Sequence, residues 1–235
     1  MHTNWIRLKI SEQIILDLQE GKQLDTNDYH VEKHIQLNFK NNEITELFKK
    51  IIRVTKQNYF NTLHEIFTDL EHFDFRNEKS VNTKIKSYNS YENNNFTLRE
   101  SIDLMEHTCN VVNEAIEISK DQNDGSKAII LLLSLTHDFG KSDNVREYIK
   151  TSKTERHDIV SAKYLQVKLL NNKELDHLSN EHIEEIYNIL STHHDENVKT
   201  KSTIVELFHK ADIIASKKEI KKLTQQQAKG ATHDN

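Results

Sequence analysis

The chemistry-bearing residues stand in one half of the chain. An apolar run, Ile129-Ile130-Leu131-Leu132-Leu133-Ser134-Leu135-Thr136, ends abruptly on His137-Asp138-Phe139-Gly140-Lys141. Its length and its Leu and Ile content read as a buried helix. A buried element that finishes on two adjacent ionisable groups needs something to pair with them, because an unpaired buried charge is costly. A divalent metal ion would serve: the imidazole offers a nitrogen and the carboxylate one or two oxygens.

Further candidates follow the same pattern, each beside an apolar helix face. His107 lies in Leu104-Met105-Glu106-His107-Thr108, and His157 opens Glu155-Arg156-His157-Asp158-Ile159. His193 and His194 close Ile189-Leu190-Ser191-Thr192-His193-His194, and Asp212 sits inside Phe208-His209-Lys210-Ala211-Asp212-Ile213-Ile214. Asp is a poor helix-interior residue and is seldom buried without a partner, so Asp212 also calls for a cation. Singly, each is an ordinary helix residue. In order, one position per helix, they form a constellation.

The elements that must position these residues read as consecutive helices. Leu98, Ile102, Met105, Val112, Ala115 and Ile116 place one helix over about 97–120, and Gly125-Ser126 opens the next, 127–138. Amphipathic helices follow over 157–170, 180–193 and 202–220. Further upstream, 3–20 is a first amphipathic stretch ending at Gly21, and 22–42 holds a near alternation (Tyr29, Val31, Ile35, Leu37, Phe39) that admits a short strand. Residues 43–73 are helical throughout, as one helix or two, with His64 and His72 as ordinary helix positions. Residues 76–97 are polar and Asn-rich, which sets a domain boundary near 95. The expected organisation is therefore a smaller, mainly helical N-terminal domain (1–95), a helical bundle (96–222) and a loose tail (223–235).

Composition agrees with an all-α chain. There is no Pro and only four Gly in 235 residues, which disfavours turn-rich all-β architectures. The net charge of −5 argues against duplex binding through an overall positive field. A local cluster, Lys217, Lys218, Lys221 and Lys222, is better read as a solvated helix end than as a nucleic-acid contact. Cys109, the single cysteine, excludes an internal disulfide and suits a reducing compartment. No signal-peptide core opens the chain, and the 128–135 run is too short to span a bilayer. A cytoplasmic protein without membrane attachment is expected. There is no Gly-rich phosphate loop and no nucleophile elbow.

The order His107, His137-Asp138, His157, His193-His194, Asp212, with its Leu-Leu-Ser-Leu-Thr-His-Asp-Phe-Gly-Lys segment, resembles the HD-domain metal-dependent phosphohydrolases over about 97–216. The resemblance implies an HD-domain helical bundle with the metal site at its centre. It implies His107, His137, Asp138 and Asp212 as ligands of a first ion. Asp138 would bridge to a second, held by His157 and His193 or His194, and Lys141 would contact a substrate phosphate. The cofactors would be two divalent metal ions, with Fe, Mn, Zn, Co and Mg not distinguished. The activity implied is hydrolysis of a phosphoester in a nucleotide or (cyclic) dinucleotide by a metal-bound hydroxide. Two departures stand out: Ser161 where many members have glycine, and no Gly-Tyr-Pro after His193-His194, the mark of the branch specialised for cyclic di-GMP. Alternatives are a non-catalytic HD sensing or interaction module, or an HD protein of DNA processing in mobile elements. A homodimer is left open. Asp103, one turn before His107, reads as an exposed helix acid or as a carboxylate orienting that ring.

Overall fold

The computed structural model describes residues 39–56, 59–73, 75–81, 98–176, 178–195 and 202–230. The expected helix at 3–20, nearly all of the stretch at 22–42 that admits a strand and the Asn-rich stretch at 82–97 lie outside the described residues. Within them the chain is all-helical: eight α-helices and no strand. We number them α1 (Asn42–Thr55), α2 (Phe60–His72), α3 (Leu104–Ile118), α4 (Asp124–Thr136), α5 (Asp143–Ile149), α6 (His157–Asp176), α7 (Asn180–Ser191) and α8 (Thr203–Gly230). A single 3-10 turn, Phe139–Lys141, joins α4 to α5.

The helical stretch at 43–73 is two helices. Lys56 and Tyr59 both take left-handed backbone (φ 49° and 57°), which breaks the α-helical hydrogen-bond ladder between them. α1 buries Ile44, Leu47, Phe48 and Ile51, and α2 buries Leu63, Ile66, Phe67 and Leu70. Both sets follow the i, i+3, i+4, i+7 spacing of a single apolar stripe. Phe48 and Phe67 join the stripes edge to face, with ring centroids 5.2 Å apart.

α4 is the central rod. Asn123 caps it by accepting a hydrogen bond from the Ser126 amide. From Ile130 to Thr136 every residue is buried, because α1, α3, α6, α7 and α8 all pack around it. Fully burying each such aliphatic side chain contributes about 1.5–3 kcal/mol, so α4 anchors whatever stands at its C-terminal end. The described residues from Phe39 onward form one compact unit, in which α1 packs on α3 and α4, and α2 packs on α6.

α3 starts at Leu104, later than the apolar pattern suggests. Asp103 caps it, accepting from the Glu106 amide at 2.7 Å. The residues just before it pair instead with a strap, 75–81: Ser80 N–H donates to Ile102 O, and Leu104 N–H to Glu78 O. α8 runs past Ile220 to Gly230, with Thr224–Ala228 exposed. No strong helix breaker intervenes between Ile220 and Gly230, and Gln and Ala favour continuation. Among the described residues no helix is long and apolar enough to cross a membrane.

Candidate metal centre

The centre forms where α4 ends. His137 is the C-cap of α4, and its Nδ1 lies 2.9 Å from Ser134 O. A carbonyl only accepts, so Nδ1 carries the proton and Nε2 presents a bare lone pair. His193, just past the end of α7, repeats the device: its Nδ1 donates to Leu190 O at 2.6 Å. Both Nε2 atoms are buried and make no hydrogen bond. Burial lowers the pKa of both rings, that of His193 to about 3 with help from the neighbouring His194, so both are neutral at physiological pH.

Asp138 sits between two sets of imidazoles. Its Oδ2 lies 3.5 Å from His107 Nε2 and 3.4 Å from His137 Nε2, whereas its Oδ1 lies 3.4 Å from His157 Nε2. Asp212 Oδ1 lies 3.4 Å from His107 Nε2. Two donors bound to one ion at about 2.1 Å stand about 3.4 Å apart at a tetrahedral angle. The separations thus suit a shared ion and are long for hydrogen bonds. Two groups result that could hold a metal ion: His107, His137 and Asp138, and Asp138, His157, His193 and His194. The donor set, imidazole nitrogens with carboxylate oxygens, suits a borderline transition-metal ion better than calcium.

His157 and His194 face each other, Nε2 to Nε2 at 2.9 Å. One ring must donate and the other accept. Burial, with the neighbouring His157, lowers the His194 pKa to about 4. The rings of His193 and His194 stack with centroids 3.9 Å apart, so both residues at the end of α7 stand at the centre.

Positive charge at the centre comes from Lys141 and His107, with Arg99 behind them at Glu219. Lys141 Nζ lies 2.6 Å from Asp138 Oδ2 and donates to Ser80 O, also at 2.6 Å, which fastens the strap to the centre. Burial opposes ionisation of Asp138, but Lys141 and the neighbouring histidines outweigh it and hold the carboxyl well below its ordinary value. Burial likewise opposes protonation of His107, but the facing carboxylates of Asp212 and Glu219 prevail and raise its pKa to about 9. The same contact with His107 keeps Asp212 ionised against the penalty of burial.

Gly140 allows α6 to reach the centre. A Cβ there would fall 2.0 Å from the carbonyl oxygen of His157 and 2.8 Å from Val160 Cβ. Ser161 accepts the Gly140 N–H at 2.8 Å, so the serine noted in the sequence locks this crossing.

Asp103 does not orient His107, because its carboxylate caps α3. The nearest partner of His107 Nδ1 is Glu219, with oxygens at 3.0 and 3.2 Å, and Arg99 Nη2 lies beyond it at 3.3 Å. Glu219 is a residue the motif reading passes over. The available signal is its spacing, seven residues and so two helical turns after Asp212 on α8. In the lysine cluster, Lys218 pairs with Glu114 at 2.5 Å and Lys222 with Glu106 at 3.0 Å, both on α3. Cys109 is buried and reduced.

Comparison of the chain with protein-family models, with curated proteins and with solved structures gives no match in any of the three.

Proposed function

We propose that the chain is a metal-dependent phosphohydrolase of the HD-domain type, cleaving a phosphoester of a nucleotide or a (cyclic) dinucleotide. The observation that carries this reading is Asp138, whose two oxygens face two different sets of imidazoles. Such an arrangement suits two divalent ions sharing one carboxylate. When bound, ions of this kind supply an activated water and neutralise phosphoryl charge.

The chain's own residues would divide the work as follows. His107, His137, Asp138 and Asp212 would hold one ion, and Asp138 with His157, His193 and His194 would hold the other. Their rigidity comes from the helix ends: the Nδ1 atoms of His137 and His193 are tied to carbonyls, so the rings cannot swing away. Access is one-sided. His107, His137 and Asp138 are buried, whereas His194 is exposed and Asp212 is 28% exposed. A phosphoester would therefore approach across Asp212, His157 and His194. Lys141, 21% exposed, stands at the same carboxylate and would hold a phosphoryl oxygen as a point charge.

The test is an assay of the protein supplied with Mn or Fe on bis(p-nitrophenyl) phosphate, on cyclic dinucleotides and on dinucleoside tetraphosphates. The reading expects metal-dependent turnover of at least one, abolished by Asp138→Ala. No turnover of any substrate by the metal-loaded protein would overturn it in favour of a sensing module.

A further inference from the structure

Glu219 is 2% exposed and stands outside every ligand position proposed above. A carboxylate so placed needs full compensation. Two donors reach it, His107 Nδ1 at 3.0 Å and Asn110 Nδ2 at 2.9 Å, and Arg99 supplies a counter-charge, its Nε 3.3 Å from the carboxylate and its Nη2 3.3 Å from the same His107 Nδ1. Arg99 approaches from the segment before α3, Asn110 and His107 from α3 itself, and Glu219 from α8. Apolar side chains would hold the two helices together equally well, so packing alone does not explain a buried charge here.

The consequence falls on His107. With its Nδ1 proton donated to Glu219, its Nε2 points at Asp138 Oδ2 (3.5 Å) and Asp212 Oδ1 (3.4 Å). A bare nitrogen facing two carboxylate oxygens is repulsive unless a cation lies between them. A metal ion held by His107, Asp138 and Asp212 would be that cation. We propose that Glu219 is the positioning residue for His107: it fixes the ring's Nδ1–H form and orientation, so that Nε2 is presented to the centre as a ligand of raised basicity. Arg99 and Asn110 hold Glu219 ionised and in place, and α8 beyond Asp212 becomes part of the site. This inference rests on the metal-centre reading above, though not on the reaction assigned to it.

The experiment uses the full chain with zinc as the probe. Calorimetric titration gives the affinity for Glu219→Gln, which keeps the shape and an acceptor, and for Glu219→Ala. Proton–nitrogen NMR of the zinc-loaded protein reads the His107 Nδ1–H directly. Zinc affinity is expected to fall about 10–100-fold in Glu219→Ala and less in Glu219→Gln. The low-field Nδ1–H signal should be lost in the alanine variant and shifted in the glutamine variant. The proposal is overturned if the folded Glu219→Gln variant keeps wild-type affinity and an unshifted signal, or if the wild-type protein takes up no zinc. Zinc binding that depends on Glu219 in a protein that hydrolyses nothing would sink only the phosphohydrolase reading.

Discussion

At the scale of single residues, the centre is a charge-balanced cluster whose protonation governs the metal-free protein. His107 titrates near 9 in the folded state against an ordinary value of 6.5. A raised histidine stabilises the fold fully below 6.5, and that contribution is lost as pH rises through 9. His193 and His194 are shifted the other way, to about 3 and about 4. Their contribution is present above 6.5 and is lost as pH falls toward those values. Metal-free protein should therefore melt highest near neutrality, with its Tm falling on both sides. Calorimetric scans from pH 4 to 10 check this, and replacing His107 by Gln should flatten the alkaline limb. An unchanged alkaline limb would mean that the proton does not reside on His107.

The visibility of these residues in the sequence follows from where they sit. His137, His193 and Asp212 interrupt or terminate apolar runs, so each is conspicuous against its background. Glu219 is not: it stands in Ser216-Lys217-Lys218-Glu219-Ile220-Lys221, where a glutamate looks like one more solvated charge. Only the approach of α3 turns that position inward. The hold of Ser80 on Lys141 is equally silent in sequence, because a backbone carbonyl makes it.

Among the elements, the crossing of α6 over the 3-10 turn determines where His157 points. Gly140 is required there by contact and not by backbone conformation, since the obstacle is the carbonyl of His157 itself. Gly140→Ala should cost about 1–3 kcal/mol, as overpacking of a close contact does. Urea unfolding measures that loss, and the displaced His157 should weaken metal binding in the same variant. A fully stable Gly140→Ala protein would show that the crossing can relax.

The tie between α2 and α6 is a second element-level feature. Asp69 accepts from Tyr164 Oη at 2.7 Å and pairs with the buried Lys168 at 2.7 Å, while the Lys168 ammonium lies 5.0 Å from the Tyr148 ring centroid. Removing one partner of a buried pair weakens the compensation of the other, here leaving Lys168 only the longer contact with Glu65 at 3.6 Å. Asp69→Ala is expected to cost about 2–4 kcal/mol, less than a wholly enclosed pair would, because Asp69 is 18% exposed. One cooperative urea transition, shifted as a whole, is the expected result. A separate early transition for α1 and α2 would show that these helices fold on their own. The break between these two helices was hard to read because Lys56 and Tyr59, not Gly or Pro, adopt the left-handed backbone.

Over the described residues, α1, α3, α6, α7 and α8 pack around α4, and five helices, α4 included, bring residues to its C-terminal end. The helical periods and the long apolar run of α4 made the all-α class legible. The grouping of α1 and α2 with the rest was not, since an Asn-rich stretch looks the same whether it links domains or joins helices of one unit. The central claim is that Asp138 is shared between two cation positions. Calorimetric titration of the metal-free protein with Mn2+ tests it most directly, with Asp138→Ala alongside. The account predicts two ions per wild-type chain and loss of both, or of all but weak binding, in the variant. No uptake by the wild type, or two ions retained by Asp138→Ala, would contradict it.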